Sequence, residues 1–247
     1  MTGWREIHVT ELQVPQASGV TSLGRGRFLV VDDDRGVYVA RADGSAELAA
    51  SRDDHPKLRD LEGICLAPDG SAWVLSERTS AVLSLSVEDA DGAIRLGEPR
   101  LVGEIEHIAR KKNKGWEGLA IHGGARPWVL ASHEARPRKV GIFTVEELAT
   151  VALLSLPDEL DDLLDDLSDL TSDPETGRIF LVSDESRVIA EVALRFEDDE
   201  PVGLELCEVI ELDLGKKEKA EGVCFDEHGA LWLVTDGDAH LRTFRQR

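Results

Sequence analysis

Three Glu-Gly pairs, at Glu62, Glu117 and Glu221, each open an apolar stretch of the same local phrase, and two further copies of that phrase carry Ser18-Gly19 and Ser168-Asp169 instead. A second set keeps a fixed distance: Asp32, Glu77, Ser132, Asp184 and Asp236 stand four residues beyond Phe28, Trp73, Trp128, Phe180 and Trp232. If the two sets meet, several carboxylates share one small volume, and at reduced dielectric their repulsion demands a counter-charge. A hard cation taking six to eight oxygen ligands answers that demand, and Ca2+ suits an irregular carboxylate set better than the smaller, strictly octahedral Mg2+. The alternative is structural: each glutamate accepts amide hydrogen bonds from the neighbouring repeat and docks it, with no ion involved.

Basic residues gather before three of these turns: Lys57 and Arg59 before Glu62, Arg110, Lys111, Lys112 and Lys114 before Glu117, and Lys216, Lys217 and Lys219 before Glu221. Around an acidic centre they form a positive rim, and Lys112, Lys114 and Lys219 are the candidates to hold a small anionic ligand, a carboxylate or a phosphate. The bland counterpart is a set of exposed loop lysines. His107 precedes the third turn and His133 lies in Ser132-His133-Glu134, so both are candidates for general acid or base, beside a plain structural role. No G-x-S-x-G elbow, H-E-x-x-H zinc site or P-loop occurs.

The elements that must position these residues follow from the repeat itself. Ser18, Glu62, Glu117, Ser168 and Glu221 are separated by 44, 55, 51 and 53 residues, the period of a propeller blade. Each copy reads as a turn, an apolar strand, a glycine-containing turn, an aromatic-centred strand, an acidic turn and another alternating strand. The spacing predicts an all-β, five-bladed β-propeller of four-stranded blades spanning residues 1–247 as one domain. The aromatic of each copy is expected between adjacent blades. AELAAS from Ala46, RLVGEIE near Leu101, TVALLSL from Thr150 and LCEVIEL from Leu206 read as outer fourth strands. The last copy lacks one, and the alternating segment REIHVTELQV is expected to close the ring by pairing there. Val145 to Leu156 is also compatible with a helix, and the charged run Asp158 to Asp169 reads as a solvated loop or a one-turn helix.

In such a blade the first strand lines the channel, and the loops entering it share a face with those joining the second and third strands. Both carboxylate sets therefore fall at one mouth. Acidic residues outnumber basic ones 49 to 28, for a net charge of −21, which disfavours nucleic acid and anionic membrane as partners. No window has the apolar length of a membrane span and no leader precedes the first strand, so a cytoplasmic protein is expected. Cys65, Cys207 and Cys224 lack metal-ligand spacing, and Cys65 and Cys224 are expected to be unbonded, since they belong to non-adjacent blades.

NKGWEGLA from Asn113, DLSDLTSDPETGRIFLVSDES from Asp166 and KAEGVCFDEHGALWLVTDGD from Lys219 resemble the SdiA-regulated family of β-propellers, over roughly Leu58 to the C-terminus. More distantly, the Glu-Gly turns resemble those of gluconolactonase-like and phytase-related esterase-like propellers, in which channel carboxylates hold a divalent metal. The resemblance implies a channel-mouth site of Glu62, Glu117 and Glu221, with Asp184 and Asp236 as further contributors. Ser18 and Ser168 depart from the pattern and break any five-fold carboxylate ring. The expectation is a Ca2+-binding propeller that takes a small anionic ligand and has scope for metal-dependent hydrolase or lactonase chemistry. A non-catalytic scaffold for a protein or peptide is the alternative.

Overall fold

The structure is a computed structural model that describes residues 3–90, 92–106, 108, 115–134 and 136–247. The N-terminal strand β1 (Trp4–Glu11) precedes the first blade, β2 (Ala17–Gly24), β3 (Arg27–Asp32), β4 (Gly36–Arg41) and β5 (Ala46–Ser51). The second blade is β6 (Leu61–Leu66), β7 (Ala72–Ser76) and β8 (Ala81–Leu85), then a small hairpin β9 (Val87–Ala90) and β10 (Ala93–Leu96), then β11 (Arg100–Glu104). The third holds β12 (Trp116–His122), β13 (Trp128–His133), β14 (Lys139–Thr144) and β15 (Thr150–Ser155). A short helix α1 (Asp158–Leu163) leads to the fourth, β16 (Asp169–Ser172), β17 (Ile179–Ser183), β18 (Val188–Glu197) and β19 (Glu200–Glu211). The fifth is β20 (Lys219–Phe225), β21 (Leu231–Asp236) and β22 (His240–Gln246), completed by β1 in antiparallel pairing with β22.

The ring thus closes as the alternating N-terminal segment predicts. An ion cluster around the buried Arg242 fastens the closure: Arg242 donates to both carboxylate oxygens of the buried Glu218 at 2.9 Å and to Oε2 of the exposed Glu6, on β1, at 2.6 Å. Apolar side chains pack in five layers, one between each pair of adjacent blades. The repeated aromatics supply much of this contact, with Phe28 against Trp232 at 4.7 Å and Phe180 against Phe225 at 5.0 Å. Trp128 departs from the pattern; it is half-buried and stacks between His122 and the exposed Phe196.

The helix-compatible stretch Val145 to Leu156 is a turn followed by β15, whose backbone pairs with the edge of β14. In the charged run, α1 does form. It is amphipathic rather than fully solvated: Leu160, Leu164 and Leu167 are buried between the third and fourth blades. Arg138, its side chain fully buried, holds α1 by Nε–H to Asp161 Oδ1 at 3.0 Å. Among the described residues, no helix is long and apolar enough to cross a membrane.

Candidate functional site

In four blades the register of the innermost strand slips at the repeated turn: between Ala17 and Gly19, Leu61 and Gly63, Trp116 and Leu119, and Ala220 and Gly222. Glu62 and Glu221 are therefore bulge residues, each an extra residue opposite one partner, and Glu117 lies in the corresponding irregular stretch. A bulge locally re-aims a side chain, which sends these carboxylates toward the channel instead of into the inter-blade layers. The following glycines make the approach possible. A Cβ on Gly63 would stand 2.6 Å from Leu119 N, and one on Gly222 would stand 2.7 Å from Gly19 Cα, so the inner strands touch backbone to backbone at the waist.

The fourth blade has Asp169 where the others have glycine, and its side chain fills that waist. Oδ2 accepts the Val223 N–H at 2.7 Å, and Oδ1 lies where a Cβ on Gly118 would come within 2.6 Å. Burial holds this carboxyl well above the usual aspartate range, against the amide bonds that favour its charge. On the far side of this waist a cavity of about 300 Å3 is lined in part by Cys65 and Cys224, and all three cysteines are free thiols.

Above the waist the carboxylates crowd. Glu77, Glu117 and Glu134 offer oxygens that all lie within 4.8 Å of one another. Two backbone bonds set this geometry: Glu77 N–H donates to Asp60 O at 3.0 Å, and Glu134 N–H to Gly115 O at 3.2 Å. Two unit charges at this separation repel by about 3 kcal/mol at an effective dielectric near 20, so three ionised groups need a proton or a cation between them. Glu117 is raised well above its ordinary range, first by burial and then by Glu62, Glu77, Glu134 and Glu221. Glu62 is raised likewise, by burial and then Asp33, Glu221 and Glu77, with the Ser18 hydroxyl opposing. Both are half-buried by surface but ringed by protein, which is why desolvation leads.

Glu221 belongs to a second lobe. Burial, then Asp184, Asp236 and Asp166, push it up to about 8, while Lys219 pulls it down. Asp184 is partly engaged, since its Oδ1 accepts the Ala220 N–H at 3.0 Å across to the fifth blade. Asp236 ends β21, half-buried and opposite Lys219 in the ladder. Among the described residues, carboxylates dock one blade on the next from the fourth to the fifth, by Asp184 and Asp169, from the fourth to the third, by Asp169 to the Leu119 amide, and from the second to the third, by Glu77 to the Gly115 amide.

The mouth thus brings Glu62, Glu117 and Glu221 into electrostatic contact, with Asp184 and Asp236 acting on Glu221. The tight cluster forms around Glu117 with Glu77 and Glu134. Glu77 was visible at the four-residue spacing, and Glu134 stands two residues beyond the matching Ser132, a place where spacing alone marks nothing. His133 is buried at 2% exposure, edge-on to Trp116 at 5.4 Å. Lys219 is exposed at the rim. His107, Lys112 and Lys114 lie outside the described residues.

A search of curated proteins gave no sequence match. Among solved structures, the chain is similar to a gluconolactonase from Xanthomonas campestris, with 16% identity, 94% of this chain and 76% of that one covered, and a TM-score of 0.53. It is also similar to the glutaminyl cyclase of Myxococcus xanthus, with 11% identity, 98% and 95% coverage and a TM-score of 0.58. A third likeness is to the PQQ-bound aldose sugar dehydrogenase of Streptomyces coelicolor, with 12% identity, 98% and 97% coverage and a TM-score of 0.58. At such identities the likeness is one of fold, and it spans propellers of different chemistries. The SdiA-regulated family profile matches residues 28–240, and the chain belongs to that family.

Proposed function

We propose that the channel mouth binds Ca2+ and that the loaded site takes a small anionic ester or lactone and hydrolyses it. The observation that carries this reading is the cluster of Glu77, Glu117 and Glu134 within 4.8 Å. Two oxygens on one calcium ion lie at most about 5 Å apart, twice a Ca–O bond, so the cluster has the right span for a shared ion. Glu62, the charge that acts most on Glu117, is a further candidate donor. The raised acids support the same reading, because a cation offsets the repulsion that otherwise holds protons on them.

A bound cation would supply Lewis-acid polarisation of a carbonyl or phosphoryl oxygen and an acidified water. The chain's own residues do the rest. Glu221, whose carboxyl is raised by burial and by Asp184, can hand its proton to the departing alcohol oxygen and regain one from the attacking water. Lys219, beside Glu221, holds the ligand's negative charge. With His133 sealed against Trp116, Glu221 takes the acid–base role in this scheme.

The test is thermal unfolding with and without Ca2+, in parallel with a screen of lactones and phosphate esters. At a Ca2+ concentration one hundred times Kd, mass action stabilises the fold by about 2.7 kcal/mol. Glu117→Gln keeps the shape and should abolish most of that gain. Equal destabilisation of the variant in Ca2+ and in chelator would instead mean that Glu117 is only a docking group, and the metal reading would fall.

A further inference from the structure

The rim cations at Lys57 and Arg59 are not used by the site above, and they border a separate cavity of about 270 Å3 off the channel axis. It lies between the loop linking β5 to β6 and the outer strands of the second blade. Its apolar wall includes Leu83 and Leu101, which face each other across the β8–β11 ladder. Leu101 is 57% exposed, the most exposed of the large hydrophobic residues described. A leucine left this open beside a concavity marks an apolar surface with something to cover.

The charges around the cavity run against those of the molecule. Lys57, Arg59 and Arg78 border it together with Asp60 and Glu104, on a chain of net charge −21. Arg78 and Asp60 close on each other at 2.8 Å, and Lys57, Arg59 and Glu104 are the other charged residues of the lining. Arg59 is anchored at the wall, its Nε–H donating to Pro56 O at 2.9 Å. Three other cavities differ: one is bordered by Glu11 and Asp238, another by Glu6, Glu211 and Asp213, and the one beyond the waist by no charged side chain. A cationic edge over an aliphatic wall is complementary to an anion with a short hydrocarbon chain, and a volume just below the usual range for drug-sized ligands suits a molecule that small.

We propose that this cavity binds a small aliphatic carboxylate, its chain against Leu83 and Leu101 and its head group at Lys57 and Arg59. Asp60 is shared with the mouth through its carbonyl bond to Glu77, but the contacts proposed at Lys57, Arg59, Leu83 and Leu101 need no metal, so the test is made in EDTA, where a failure of the Ca2+ reading changes nothing. The 15N-labelled protein is titrated with hexanoate, hexylamine and acetate, and amide shifts are followed. Hexanoate should give saturable shifts at the Arg59, Thr79 and Leu101 amides. Hexylamine, with the same chain and opposite charge, and acetate, without the chain, should not saturate over the same range. Arg59→Glu and Leu101→Asp change exposed side chains and should each weaken hexanoate by about tenfold or more, with the remaining spectrum unchanged. Equal binding of hexylamine, unaltered affinity in both variants, or saturable shifts confined to Glu62 and Glu221 would each overturn the proposal.

Discussion

Glu221→Gln is the sharpest probe of the acidic mouth, because it removes one titrating proton and little volume. Burial and neighbouring carboxylates raise the native carboxyl from an ordinary 4.5 to about 8. Between those values the folded chain keeps a proton that the unfolded chain has released, so stability falls as pH rises through this window. A shift of one pKa unit is worth about 1.4 kcal/mol, and integrating the two titrations gives a penalty of about 1 kcal/mol at pH 5 and about 3 kcal/mol at pH 7. The glutamine variant escapes that penalty. Measured in EDTA, it should match the wild type near pH 4 and be the more stable protein at pH 7, by about 3 kcal/mol, or roughly 6–12 °C in Tm for a chain of this size. Urea unfolding at half-unit pH intervals from 4 to 8 reads the effect directly. A wild-type-minus-variant difference that stays flat across that range would mean that Glu221 ionises normally in the folded state, and the account of a charge-frustrated mouth would be wrong.

Gly63→Ala places a Cβ 2.6 Å from Leu119 N and 2.7 Å from Glu117 O, both backbone atoms, so the waist must open. A loss of about 1–3 kcal/mol in chemical denaturation is expected, and an unchanged midpoint would show that the inner strands are not in contact there. Glu218→Gln neutralises the bidentate partner of the buried Arg242 at the β1–β22 seam and leaves Glu6 as its charged partner there. Breaking such a pair costs about 3 kcal/mol, and the loss should appear in global unfolding instead of fraying of β1 alone, as amide exchange of the Phe28 and Trp232 layers will report.

What the sequence alone determined is what local periodicity encodes. The five-fold phrase, its aromatic positions and the alternating fourth strands specify blades, since each blade repeats the same burial problem at the same interval. The unpaired last copy and the orphan segment REIHVTELQV imply closure, because an open sheet edge on either one would be left without a partner. The crowding of Glu62, Glu117 and Glu221 was legible for the same reason: one turn position, repeated, returns to one face. Only the tertiary structure decided how those acids divide. Glu134 joins Glu77 and Glu117 through backbone bonds to Gly115 and Asp60 that link distant loops, while Glu221 turns to Asp184 and Asp236. Asp169 reads as one more turn acid in the chain, yet its carboxylate is buried at the waist, where Gly118 of the third blade leaves room for it and the Val223 N–H of the fifth bonds it. Spacing places a residue on a face; the bulge at each turn and the curvature of the closed ring set where its carboxylate points and which other acids it meets.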